Sequence, residues 1–227
     1  MNPEMLQRAT VLILPIIFAI TLHEAAHGYV AKLCGDRTAE MLGRVSLNPL
    51  KHIDPVGTIL VPIIGLLSGG FFFGWAKPVP VNTRALRHPR LDSVLVAIAG
   101  PATNVLLAVI SILLWHIIPY LPSVAQTWTS YMLSQSFHLN LILAVLNMLP
   151  VPPLDGGRVA VGLLPNPLSR QLAELEPIGI PLFIGVFFLL PMVGDAMHRN
   201  LDLFTPLIAQ PARDLGNLLL SVLGPGE

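Results

Sequence analysis

Apolar residues in this chain come in long blocks rather than in the one-sided or alternating patterns of a soluble domain. Residues 9–33, 91–118, 131–149 and 178–193 each form an apolar run on the scale of the roughly 20 residues that cross a bilayer core about 30 Å thick. The last run is short and carries Pro181 and Pro191. Residues 56–73 form a fifth run, broken by Pro62, Gly65, Gly69 and Gly70, and are expected to re-enter the bilayer or lie extended rather than span it. Residues 201–223 look amphipathic. The pattern predicts an all-α polytopic membrane protein with about 4–6 membrane segments, folded as a single domain over residues 1–227.

Composition agrees. Hydrophobic residues make up 53% and charged residues only 11%, against roughly 25% charged in a soluble domain, and the mean hydropathy is +0.70. The net charge of zero offers nothing to nucleic acid. Charge placement sets the expected topology. Eight of the 13 basic residues lie between Lys32 and Arg90, on both sides of the broken run, so both flanks are expected in the cytoplasm. Residues 119–130 carry no Lys or Arg and are expected outside, whereas residues 150–177 carry Arg158 and Arg170 and return inside. The chain is then expected to start outside and to keep its first helix, since no signal-peptide cleavage pattern follows it. A multi-pass protein of a prokaryotic cytoplasmic membrane is the expected setting.

Polar residues inside the first apolar run bring in the chemistry. Ile20-Thr-Leu-His-Glu-Ala-Ala-His-Gly-Tyr-Val-Ala31 holds a His-Glu-x-x-His element, with His23 and His27 on one helical face and Glu24 beside them. Two imidazoles at i and i+4 can share a divalent metal, and the glutamate is placed to act as general base toward water. The bland alternative is a histidine pair bonded to neighbouring carbonyls with a protonated Glu24, but an ionisable group in a membrane helix costs about 2.5–3.5 kcal/mol, and a cation offsets that cost. Cys34, the single cysteine, excludes a cysteine-rich zinc site and reads as packing. His23 lies about 21 Å into its helix, in the cytoplasmic half of the bilayer. A third ligand is needed at that depth. Asp155, after the proline-rich break that ends the run at residues 131–149, meets the demand, although Asp-Gly also reads as a turn.

These residues resemble the site-2 protease family of intramembrane zinc metalloproteases, in its short form without a PDZ domain. The resemblance covers about residues 10–160 and rests on separated motifs in order: His23-Glu-x-x-His27, Phe73-Gly-Trp-Ala-Lys-Pro-Val-Pro-Val-Asn82, Gly100-Pro-x-x-Asn104 and Leu154-Asp-Gly-Gly157. It implies a three-helix catalytic core within residues 9–160, one Zn2+ per chain held by His23, His27 and Asp155, and cleavage of a membrane-protein substrate within or near its transmembrane segment. It also makes Asn147 a candidate contact for substrate or oxyanion. Asn104 is a second candidate for that role, or else a tie between helices. The proline-alternating stretch at residues 76–82 is suited to present a strand edge to substrate, or is a plain linker. The rival class is a membrane metal transporter or a metal-stabilised scaffold, against which stand the lack of an internal repeat and the position of Glu24.

Overall fold

The computed structural model describes residues 3–60 and 77–224, and every described regular element is helical. Among the described residues, the seven longest helices organise the chain: α1 (Pro3–Leu33), α2 (Pro89–Trp115), α3 (Ser123–Asn147), α4 (Asp155–Leu163), α5 (Asn166–Ala173), α6 (Glu176–Ala196) and α7 (Gln210–Leu223). Helices α1, α2 and α3 pack pairwise against one another, and α4 packs on α2. Ile13–Leu33, α2 and α6 are long and apolar enough to cross a membrane. Helix α3, with 25 residues, has the length but is diluted by Ser123, Gln126, Thr127, Thr129 and Ser130 in its first turns. The sequence places the start of this apolar run only at residue 131, with residues 119–130 outside the membrane. The structure instead confines the connection to the stretch around Pro119 and Pro122, because nothing from Ser123 onward breaks a helix.

In an apolar surrounding, lipid tails compete with side chains for contact, so helices associate through close backbone approach and interhelical hydrogen bonds. The seam of α1, α2 and α3 is built that way. Ala19, Ala108 and Ala144 are buried along it. Asn104 and Asn140 are 0% and 1% exposed. Asn104 Nδ2 donates to Asn140 Oδ1 at 2.8 Å, and Asn140 Nδ2 donates to the Ser136 carbonyl at 2.8 Å. Ser111 Oγ lies 2.9 Å from Ser136 Oγ. At about 0.6 kcal/mol per interhelical bond in a membrane, these set orientation more than stability. Further along, Ala108 and Ile112 of α2 meet Phe137 and Leu141 of α3 and Ala212 of α7, so the amphipathic C-terminal stretch docks on the core through its small-residue face.

Most of the broken apolar run at residues 56–73 lies outside the described residues; Pro55–Leu60 forms a short helical turn. Its flanks are nonetheless tied together. Lys77 N–H donates to the His52 carbonyl at 2.9 Å, and Arg87 N–H donates to the Cys34 carbonyl at 3.0 Å, so the chain leaves α1 and enters α2 at one end of the bundle. Residues 77–82 run extended between these ties. Arg44 Nη2 donates to the Lys77 carbonyl at 2.6 Å, and the Asp36 carboxylate accepts from Asn82 N–H at 2.6 Å and Thr38 N–H at 2.9 Å. Burial pushes the Asp36 carboxyl up, but the hydrogen bonds from Thr38 and Asn82 outweigh it and hold the group below the usual carboxylate range. Cys34 packs with Ala31, Leu86 and Val96.

This connectivity predicts labelling. With Cys34 replaced, single cysteines at Leu47 and Arg84 should react with an impermeant thiol reagent from the same face of the membrane, and one at Val124 from the opposite face. Labelling of positions 47 and 84 from opposite faces would contradict the arrangement.

Candidate metal centre

The i, i+4 spacing turns His23 and His27 to the inner face of α1, where both are buried. Their rings stand edge to face with centroids 4.7 Å apart. Opposite them the chain breaks after α3, crosses the turn at residues 148–154, and starts α4 with Asp155 as its first residue. The proline-rich stretch therefore ends in a helix N-terminus rather than in the irregular backbone expected from its glycines. The carboxylate lies 3.2 Å from His23 Nε2 and 3.4 Å from His27 Nε2, and the two Nε2 atoms are 3.1 Å apart. His23, His27 and Asp155 form the one group of three metal-binding side chains found among the described residues.

Helix α2 determines which way the imidazoles face. His27 Nδ1 donates to the Val96 carbonyl at 2.7 Å, and His23 Nδ1 donates to Asn104 Oδ1 at 2.6 Å. Neither acceptor carries a proton, so a neutral ring in either position keeps its hydrogen on Nδ1 and presents a lone pair at Nε2. Gly100 lies between these two residues of α2 and makes the approach possible. A Cβ there would sit 2.5 Å from His27 Nε2 and 2.6 Å from His23 Nε2.

Three acceptors thus converge on one point with no donor among them. A proton on one Nε2 could bridge one pair of atoms, but the three separations of 3.1, 3.2 and 3.4 Å are nearly equal, which favours a central cation. Bonds of about 2.0–2.1 Å to a tetrahedral zinc give ligand-to-ligand edges of about 3.3–3.4 Å, so the triangle matches one face of such a tetrahedron.

Glu24 projects beside this group, and its Oε2 accepts a hydrogen bond of 2.8 Å from Val79 N–H in the extended segment. Asn104 does not offer a free N–H: its Oδ1 serves His23, and its Nδ2 donates to Asn140 and, at 3.4 Å, to the Ala19 carbonyl. It orients an imidazole. Asn147 sits at the end of α3 with one amide N–H given to the Leu143 carbonyl at 3.0 Å, and it joins no ligand group. Val96, Gly100, Asn140 and Ser136 were not singled out individually from the sequence. The available signal was the cost of lipid-facing amides and hydroxyls, which demands a partner for every Asn and Ser in an apolar helix. A cleft of about 760 Å³ opens beside His27, lined by Val79, Val81, Arg90, Val96, Arg158 and Gly162.

Comparison with known proteins assigns the family. The model of peptidase family M50 matches residues 11–123 and 116–192, and the chain belongs to that family. It is 39% identical over 207 residues to YwhC of Bacillus subtilis (strain 168), a protein provisionally named a zinc metalloprotease, covering 86% of this chain and 91% of that one. It is 31% identical over 180 residues to Rip2 of Mycolicibacterium smegmatis and 29% identical over 178 residues to Rip2 of Mycobacterium tuberculosis, both named in the same provisional way. Each Rip2 match covers 78% of this chain and 66% of the relative. None of these relatives is named a transporter. No solved structure matches the chain.

Gly100→Ala tests the close approach. Its methyl group would displace the imidazoles, so the variant should keep its helical circular dichroism yet lose most of its uptake of divalent metal, measured by elemental analysis after purification. Full uptake would show that the two helices have room to spare.

Proposed function

We propose that this member of peptidase family M50 is an intramembrane zinc metalloendopeptidase, with one zinc ion held by His23, His27 and Asp155. The observation that carries the reading is the convergence of two buried, Nδ1-protonated imidazoles and a carboxylate, spaced 3.1–3.4 Å apart, in a bundle whose helices have membrane-spanning length. A bound zinc ion would supply a Lewis acid that polarises a peptide carbonyl and lowers the pKa of water toward roughly 7.

The chain's own residues supply the rest. Glu24, held at Oε2 by Val79 N–H, takes the proton from the attacking water and returns it to the leaving amine. Val96 and Asn104 keep both histidines in the tautomer that presents Nε2 inward. Substrate enters the cleft beside His27, where a helical membrane segment must unwind to expose a peptide bond. Pro78 and Pro80 hold residues 77–82 extended along the wall of that cleft, as a template for an unwound substrate. Asn147 retains a second amide N–H for the substrate backbone, since only one is given to Leu143. The substrate class is therefore a membrane protein with a transmembrane segment, and the setting is a prokaryotic cytoplasmic membrane with the site in its cytoplasmic half.

Two substitutions separate ligand from base. Glu24→Gln should keep one zinc per chain and lose cleavage of a membrane-segment reporter, because the proton acceptor is gone while the ligands remain; substantial residual cleavage would remove Glu24 from the mechanism. Asp155→Ala should weaken zinc binding strongly in chelator competition, leaving two imidazoles alone. Unchanged affinity would return Asp155 to a structural place at the start of α4.

A further inference from the structure

The last four carbonyls of a helix have no partner within it, and where they point decides what can hold the helix. Two such ends in this protein belong to the helices that carry the candidate ligands: α1 stops at Leu33 after His27, and α4 stops at Leu163 after Asp155. Both ends come to the start of α2. There, Arg87 reaches to the end of α1 and Arg90 to the end of α4. Arg87 donates from Nε to the Cys34 carbonyl at 3.4 Å and from Nη2 to the Leu33 carbonyl. Arg90 donates from Nε to the Gly162 carbonyl at 2.7 Å and from Nη2 to the Leu164 carbonyl.

The residue type suits the task. A guanidinium offers several N–H groups in a rigid fork, so one side chain can satisfy two carbonyls at once, and its positive charge is favourable at the negative end of a helix dipole. The mechanics follow from length. Helix α4 has nine residues, about 13 Å, and behaves as one rigid body. Its middle rests on α2 through Val159 against Val94 and Ala97, and its far end is held to α2 by Arg90 and to α5 by Ser169 Oγ, which donates to the Val161 carbonyl at 2.7 Å. A lever supported at the middle and freed at one end can tilt, and the other end is Asp155. Helix α2 also contacts the imidazoles through Val96 and Asn104, so one helix carries the reference points for all three ligands.

We propose that Arg90 is a positioning residue for Asp155, setting the carboxylate's distance from His23 and His27 by clamping the C-terminal end of α4, with Arg87 performing the same service for α1. This rests on the reading of His23, His27 and Asp155 as a zinc site. It adds two residues that touch neither metal nor ligand. Arg90 also borders the cleft beside His27, so a role in contacting substrate is the alternative that the experiment must separate.

The test uses the full chain in detergent, with zinc affinity read by chelator competition and geometry read from the visible absorption of the Co2+-substituted protein. Arg90→Ala should weaken zinc binding by roughly tenfold, the lower end of the range for residues beyond the direct ligands, and should shift the Co2+ bands. Arg90→Gln, which can still give an N–H to one carbonyl, should show a smaller loss in the same direction and serves if the alanine variant does not fold. Arg170→Ala, which removes an exposed pairing with Glu174, should match wild type. Wild-type zinc affinity and Co2+ bands in both Arg90 variants would overturn the clamp, and a rise in substrate KM alone would assign Arg90 to the cleft. A wild-type chain that takes up no zinc would overturn the zinc reading itself, whereas zinc lost in Asp155→Ala but unchanged at position 90 would sink the clamp alone.

Discussion

The structure depends on three lone-pair donors brought together away from water with no proton among them. His23 and His27 spend their ring hydrogens on Asn104 and Val96, Asp155 arrives as a carboxylate, and the three converging atoms stand 3.1–3.4 Å apart. Such a group repels itself in a low-dielectric surrounding unless a cation sits at its centre. The arrangement therefore couples folding to metal: the helices can hold this register at low cost only when the site is filled.

That constraint explains features that would otherwise weaken a membrane bundle. Gly100 is a poor helix former, yet any side chain there would occupy the space of both imidazoles. Asn104, Asn140 and Ser136 are costly in lipid, yet together they form a buried chain of hydrogen bonds that ends on the Nδ1 of His23 and so fixes its tautomer. The extended segment at residues 77–82 is anchored by Arg44, Asp36 and the His52 carbonyl, and through Val79 N–H it orients Glu24. Glu24 and the wall of the cleft are thus parts of one braced unit.

The sequence was legible where chemistry leaves a periodic or compositional mark. The His23 and His27 spacing dictates a shared face whatever the tertiary structure, and long apolar runs mark α1, α2 and α6 within a few residues. It was less legible where meaning arises only from contact. Gly156 reads as a turn residue, but it lies in the first turn of α4, where a Cβ would come within 2.3 Å of the Met148 carbonyl. Asn104 reads in sequence as a substrate contact or as a tie between helices, and its bonds to His23 and to Asn140, 36 residues away, arise only in the folded chain. The bond between Glu24 and Val79 spans 55 residues and leaves no trace in either local sequence. The polar first turns of α3 passed for a loop because polarity at a membrane edge is shared by loops and by helix ends alike.

The central claim concerns what binds at the three converging atoms, and X-ray absorption at the zinc edge of the purified chain addresses it directly. The account predicts one zinc per chain with a first shell of nitrogen and oxygen at about 2.0–2.1 Å, including the outer-shell scattering of two imidazoles and no sulfur. A zinc–sulfur distance near 2.3 Å, which would draw Cys34 into the shell, or a chain that carries no zinc when purified in its presence, would contradict it.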